Sequence, residues 1–105
     1  MTFDDRKQEF ESRYAHDQEL RFRVEARRNK LLGLWAAEKL GRSGAEADAY
    51  AMEVVKADLQ KEGDEDVVAK IMADFTAAGV AQSEHQLRRR MSELLIEAET
   101  QVKSA

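Results

Sequence analysis

Cysteine and proline are both absent from the 105-residue chain. Without cysteine there is no disulfide, no thiolate metal site and no cysteine nucleophile. Without proline, no helix is interrupted from within. Histidine occurs only as His16 and His85, and neither has a glutamate three residues before it, so the Glu-x-x-His pattern of carboxylate-bridged metal bundles is missing. There is no paired-histidine zinc motif, no phosphate-binding loop and no glycine-rich dinucleotide fingerprint. The abundant carboxylates fall at helix starts or on polar faces. Together these absences argue against an enzyme and against a bound metal or cofactor. No apolar run approaches the ~20 residues of a membrane span. The first residues are acidic and polar, unlike a secretory signal. A cytoplasmic location without direct membrane insertion is the expectation.

What is present is charge and helical periodicity. Charged residues make up 36% of the chain, and the net charge of −4 does not suggest a nucleic-acid binder. The charge is unevenly spread: residues 1–19 carry three basic and six acidic groups, and residues 20–40 six basic and two acidic. At this length the chain is one folding unit with a single core. No strand-like alternation occurs, and the fold class is all-α.

The stretch Ala26-Arg27-Arg28-Asn29-Lys30-Leu31-Leu32-Gly33-Leu34-Trp35-Ala36-Ala37-Glu38-Lys39-Leu40-Gly41 organises the rest. It reads as the second half of a helix from about Leu20 to Leu40. Leu20, Val24, Leu31 and Trp35 form the inward face, and Arg27, Arg28 and Lys30 flank it. Gly33 inside this helix costs about 1 kcal/mol relative to alanine, which a close helix–helix approach would explain. Gly41 ends the helix, since glycine takes the left-handed conformation cheaply. Ser43 with Glu46 reads as a capping box for a helix running to about Glu62. Its inward residues are Ala47, Ala51, Val54, Val55 and Leu59, with Tyr50 and Met52 at the edges. Gly63 and Asp64 then stop one helix and cap the next, whose face is Val67, Val68, Ile71, Met72, Phe75 and Ala78. After Gly79, Ser83 and Gln86 form a second capping box. Leu87, Met91, Leu94, Leu95, Ala98 and Val102 give the cleanest 3.6-residue pattern in the chain. Four such helices with short connections predict a four-helix bundle over residues 19–105.

Residues 1–18 read differently. Thr2 is a candidate N-cap, and the segment is helix-prone. Its apolar stripe of Phe3, Phe10 and Tyr14 is narrow, and the step from Tyr14 to Leu20 is out of register with the following helix. A solitary helix this short is marginal in water. The segment is therefore expected to be a poorly docked arm with its boundary near residue 18. Aromatics on such an arm either dock loosely on the bundle or anchor it in another protein's groove. His16, at the hinge, is either a solvated residue or a pH sensor, since histidine titrates near neutrality. Arg88-Arg89-Arg90 and the Arg27, Arg28, Lys30 group are either solvated faces or contacts for an anion. Binding of ATP or ADP there, with no phosphate cradle, would be weak.

Phe3-Asp4-Asp5-Arg6, Tyr14-Ala15-His16-Asp17 and, most specifically, the Ala26-to-Gly41 stretch resemble the zeta subunit family of α-proteobacterial F-type ATP synthases. That family is similar in role, though not in sequence or fold, to the mitochondrial ATPase inhibitor protein. The resemblance implies a non-catalytic regulatory subunit, monomeric when free. Its partner would be the catalytic head of the ATP synthase, placing it at the periphery of the inner membrane when bound. The implied mechanism is mechanical: the arm enters a cleft between head subunits near the central stalk and blocks rotation in the hydrolytic direction. On that reading Phe3, Phe10 and Tyr14 are anchors, and Asp5, Arg6 and Arg13 make polar contacts. The alternatives are a helical-bundle sensor with weak adenine-nucleotide binding and a plain adaptor using its polar faces.

Overall fold

The computed structural model describes residues 3–58 and 63–104, with side chains from residue 7 onward. Among these residues there are five helices and no strand: α1 (Phe3–Arg13), α2 (Gln18–Lys39), α3 (Gly44–Asp58), α4 (Glu65–Ala78) and α5 (Glu84–Ser104). Thr2, Leu59 and Glu62, which the sequence assigns to a cap, an inward position and a helix end, lie outside the described residues.

The connections follow from local chemistry. Asp17 caps α2, its Oδ1 accepting from the Leu20 N–H at 3.0 Å. Ser83 and Gln86 make the reciprocal capping box at α5: the Ser83 N–H donates to Gln86 Oε1 at 2.9 Å, and the Gln86 N–H to Ser83 Oγ at 3.1 Å. The ends of α2 and α4 share one motif. The Arg42 N–H reaches back to the Ala37 carbonyl, the Gly41 N–H to Glu38, the Val80 N–H to Phe75 and the Gly79 N–H to Thr76. Both require the left-handed backbone that Gly41 (φ 77°) and Gly79 (φ 70°) adopt without a Cβ penalty.

The core is built on α2. Leu32, Ala36 and Ala37 pack with Tyr50 and Val54 of α3, Ile71 and Phe75 of α4, and Leu87, Met91 and Leu94 of α5. The inward face of α2 is rotated from the sequence expectation. Val24 is sealed as predicted, but Leu31 and Trp35 are half-buried at the rim, and Leu32, Gly33 and Ala36 take the centre. The reason is Gly33: a Cβ built there would lie 2.6 Å from the Ala51 Cα. With no side chain at that point α3 approaches α2 closely, and the Ala51 face becomes the packing seam. Trp35 meets the Phe75 ring edge-on at a centroid distance of 5.9 Å. Tyr50, placed at an edge by its spacing, is fully buried, and its hydroxyl donates to Asp74 Oδ2 at 2.7 Å. Ala78, read as inward, is exposed at the last turn of α4. All six apolar positions assigned to the inward face of α5 are buried.

The bundle expectation needs one correction. Four helices with a loose arm become five packed helices, because α1 lies against α5. Phe10 and Tyr14 are only 4% and 3% exposed. Their i,i+4 spacing places both on one side of the C-terminal end of α1. There they close over a second apolar cluster of Val24, Leu95, Ala98 and Val102 at the end of the molecule away from Trp35.

Candidate functional site

The α1 seat is assembled from three helices. Phe10 and Tyr14 stack at 4.9 Å with a tilt of 57°. Leu20 and Leu31 of α2 flank them, and the α5 stripe of Leu95, Ala98 and Val102 lies beneath. Glu99 stands between Leu95 and Val102 on that stripe, one turn from each. Its carboxylate receives three groups: the Arg13 guanidinium, the Tyr14 hydroxyl at 2.9 Å and the Lys103 ammonium at 3.7 Å. The Lys103 ammonium also lies 5.3 Å from the centre of the Tyr14 ring. Further along, Arg21 of α2 reaches Glu11 of α1 at 3.9 Å. Such an exposed pair adds little stability and mainly fixes register. The outer face of α1 is left to Lys7, Gln8, Glu9, Ser12 and Arg13, all exposed.

Of the residues the sequence marks as contacts, then, Arg13 and Tyr14 are brought together on Glu99, and Phe10 packs beside the Tyr14 ring in the apolar cluster. The side chains of Phe3, Asp5 and Arg6 lie outside the described residues. Phe10 and Tyr14 do have a home in the fold. Glu99 and Lys103 were missed. The signal available was their i,i+4 spacing beside the apolar stripe of α5, an ion pair at the edge of a face that α2 alone does not cover.

A second polar group sits where α2 meets the α3–α4 connection. Arg28 is 4% exposed and Asn29 1%, so neither is a solvated flank. Arg28 Nη2 donates to Asp64 Oδ1 at 2.7 Å and its Nε to Asn29 Oδ1 at 2.9 Å, while Asn29 Nδ2 donates to Asp58 Oδ2 at 2.9 Å. Burial pushes the Asp64 carboxyl upward, but the charge and hydrogen bond of Arg28, together with the nearby charges of Lys7 and Arg88, hold the group below its ordinary value. Asp64 stands at the N-cap position of α4 without a side-chain capping bond, because its carboxylate is turned to Arg28. Burial raises Asp58 and Glu25, whose partners only partly offset the desolvation. This withdraws Arg28 from the basic group considered as an anion contact, and leaves Arg27 and Lys30 exposed. Arg88, the first of the arginine triplet, is held by Glu65 at 3.0 Å and Glu84 at 3.1 Å.

His16 is exposed at the turn between α1 and α2, and His85 is exposed in the first turn of α5. Among the described residues no three acidic or histidine side chains converge as a metal site. No helix there is long and apolar enough to cross a membrane. What this surface does is seat a short helix, α1, against α5.

No curated protein matches the chain. Among solved structures, a protein determined by solution NMR is 46% identical, with a TM-score of 0.73, over 81% of this chain and 96% of that one. The family model described as ATPase inhibitor subunit zeta matches residues 1–101, nearly the whole chain. The chain belongs to the ATPase inhibitor subunit zeta family.

Proposed function

We propose that the protein inhibits ATP hydrolysis by the catalytic head of the F-type ATP synthase, and that residues 1–18 are the inhibitory element. The reading is supported by family membership across residues 1–101, which includes the arm. The observation that carries the assignment to the arm is its separability. α1 is joined to α2 by the short turn at Tyr14–Asp17 and packs chiefly on α5, while α2 to α5 hold a core of their own. A helix that can leave without dismantling the core is suited to entering a cleft near the central stalk. There Phe3, Phe10 and Tyr14 would act as anchors and Asp5, Arg6 and Arg13 as polar contacts. A wedge of this kind blocks rotation in the hydrolytic direction and is expelled by rotation in the other. The remaining helices keep the arm close to its target, and the protein works without catalysis, in the cytoplasm at the membrane periphery.

The test is hydrolysis by the isolated catalytic head, titrated with the full chain and with a chain lacking residues 1–18. Inhibition by the full chain alone supports the reading. Equal inhibition by both moves the activity to the bundle and overturns the arm assignment.

A further inference from the structure

We infer that the Glu99 carboxylate is a latch that parks α1 on α5 and thereby restrains inhibition, an autoinhibitory contact within the free protein. This rests on the arm being the inhibitory element. The geometry sets up a conflict: the face that would anchor the arm in a partner is the face that is already used. Phe10 and Tyr14 are sealed against Leu95, Ala98 and Val102, and Arg13 is paired with Glu99. One α1 helix cannot offer the same aromatic stripe to α5 and to another protein at once.

The seat has two parts. The apolar part is generic; it orders the arm by burying two rings. The polar part is specific. Glu99 lies within hydrogen-bond or ion-pair reach of Arg13, Tyr14 and Lys103, and its side chain is only 13% exposed. Both arm residues that reach it belong to the last turn of α1 and the residue after it. The carboxylate therefore grips the arm at its hinge end, where a small rotation about the turn would lift the whole helix. Lys103, one turn further along α5, covers the Tyr14 ring and closes the grip. An 11-residue helix has little stability by itself, so its docked and released populations are set by these few contacts. A ligand that needs the released form binds with an apparent constant weakened by the fraction released. Loosening the latch raises that fraction without touching the anchors.

The decisive variant is Glu99→Gln, which keeps the shape and removes the charge, with Glu99→Ala as the stronger form. Glu99 is not among the arm residues offered to the ATPase. Two quantities are read on full-length protein: amide exchange of α1 in the free protein, and the concentration giving half inhibition of the isolated catalytic head. The expected result is faster exchange in α1, unchanged exchange in α4 as the check on folding, and a half-inhibitory concentration lower by about three- to tenfold. Unchanged inhibition despite a released arm overturns the proposal, because docking then does not limit engagement. Weaker inhibition also overturns it, making Glu99 part of the active form. Unchanged exchange in α1 removes the latch itself. If exchange changes as expected but no form of the protein inhibits, the inhibitory reading beneath the proposal has failed. The exchange data then separate that outcome from a failure of the latch.

Discussion

Arg28 and Gly33 carry the sharpest residue-level consequences. Arg28 is buried with its guanidinium on Asp64 and Asn29. Breaking a buried pair by deleting one partner costs about 3–5 kcal/mol, since the other charge is stranded. Arg28→Ala is therefore expected to destabilise by that amount in urea denaturation, whereas exposed Arg27→Ala should fall within about 0.5 kcal/mol of the parent. Equal small losses at both positions would contradict the pairing. Gly33→Ala is expected to destabilise as well, although alanine is the better helix former. The added Cβ would sit 2.6 Å from the Ala51 Cα, which is backbone and cannot step aside alone. Overpacking of this kind costs about 1–3 kcal/mol, more than the ~1 kcal/mol that propensity returns. A more stable Gly33→Ala protein would mean that α2 and α3 separate easily. Trp35, half-buried at the rim against Phe75, is a less central residue than its uniqueness in the sequence suggests.

At the scale of elements, the α2–α4 joint is sensitive to acid through Asp64. Its folded-state value lies below the ordinary 3.8, so the folded protein binds fewer protons than the unfolded chain in that range. The stability that this group contributes is complete above the unfolded value and is lost as pH falls through the depressed folded one. Glu25 and Asp58, raised by burial, act in the opposite sense. Protonation favours their folded state, and their unfavourable contribution appears as pH rises through the raised folded values. Urea denaturation of the parent and of Asp64→Asn between about pH 3 and 6 isolates the first effect. The gap between the two proteins should narrow as the solution becomes more acidic. A gap independent of pH would place the Asp64 effect in packing or capping instead.

The whole molecule has a main core and a smaller apolar cluster at one end that α1 covers. Leu32, Tyr50, Ile71, Phe75 and Leu87 are sealed within the main core, whereas Phe10 and Tyr14 cover the second cluster from one side. Removing residues 1–18 should leave a cooperative thermal transition, lowered by a few degrees, since full burial of one large apolar side chain is worth about 1.5–3 kcal/mol and the ordering cost of α1 disappears with it. Loss of the transition would make α1 integral to folding. In the intact protein, amides of α1 are expected to exchange through local opening while those of α4 and the centre of α5 wait for global unfolding. Equal protection would deny α1 any separate opening.

Helix positions were legible because each helix carries its own punctuation and period. Gly41, Gly79, the Ser83–Gln86 box and the Leu87-to-Val102 pattern act over a few residues, so the chain alone specifies them. The break before α2 was legible as a slip in the apolar stripe, although the Asp17 cap that enforces it was not singled out. The close approach at Gly33 was foreseen, but which side chains would meet across it, and the pairings of other distant residues, stayed hidden. Arg28 and Asp64 are 36 positions apart, and Arg13 and Glu99 are 86 apart. No local pattern says that one charge will neutralise another across such distances, so Arg28 looked solvated and Phe10 and Tyr14 looked unhoused. Periodicity assigns a residue to a face of its own helix. What that face touches depends on how closely the helices approach, and here a single missing Cβ at Gly33 and the course of α5 beneath α1 settled it.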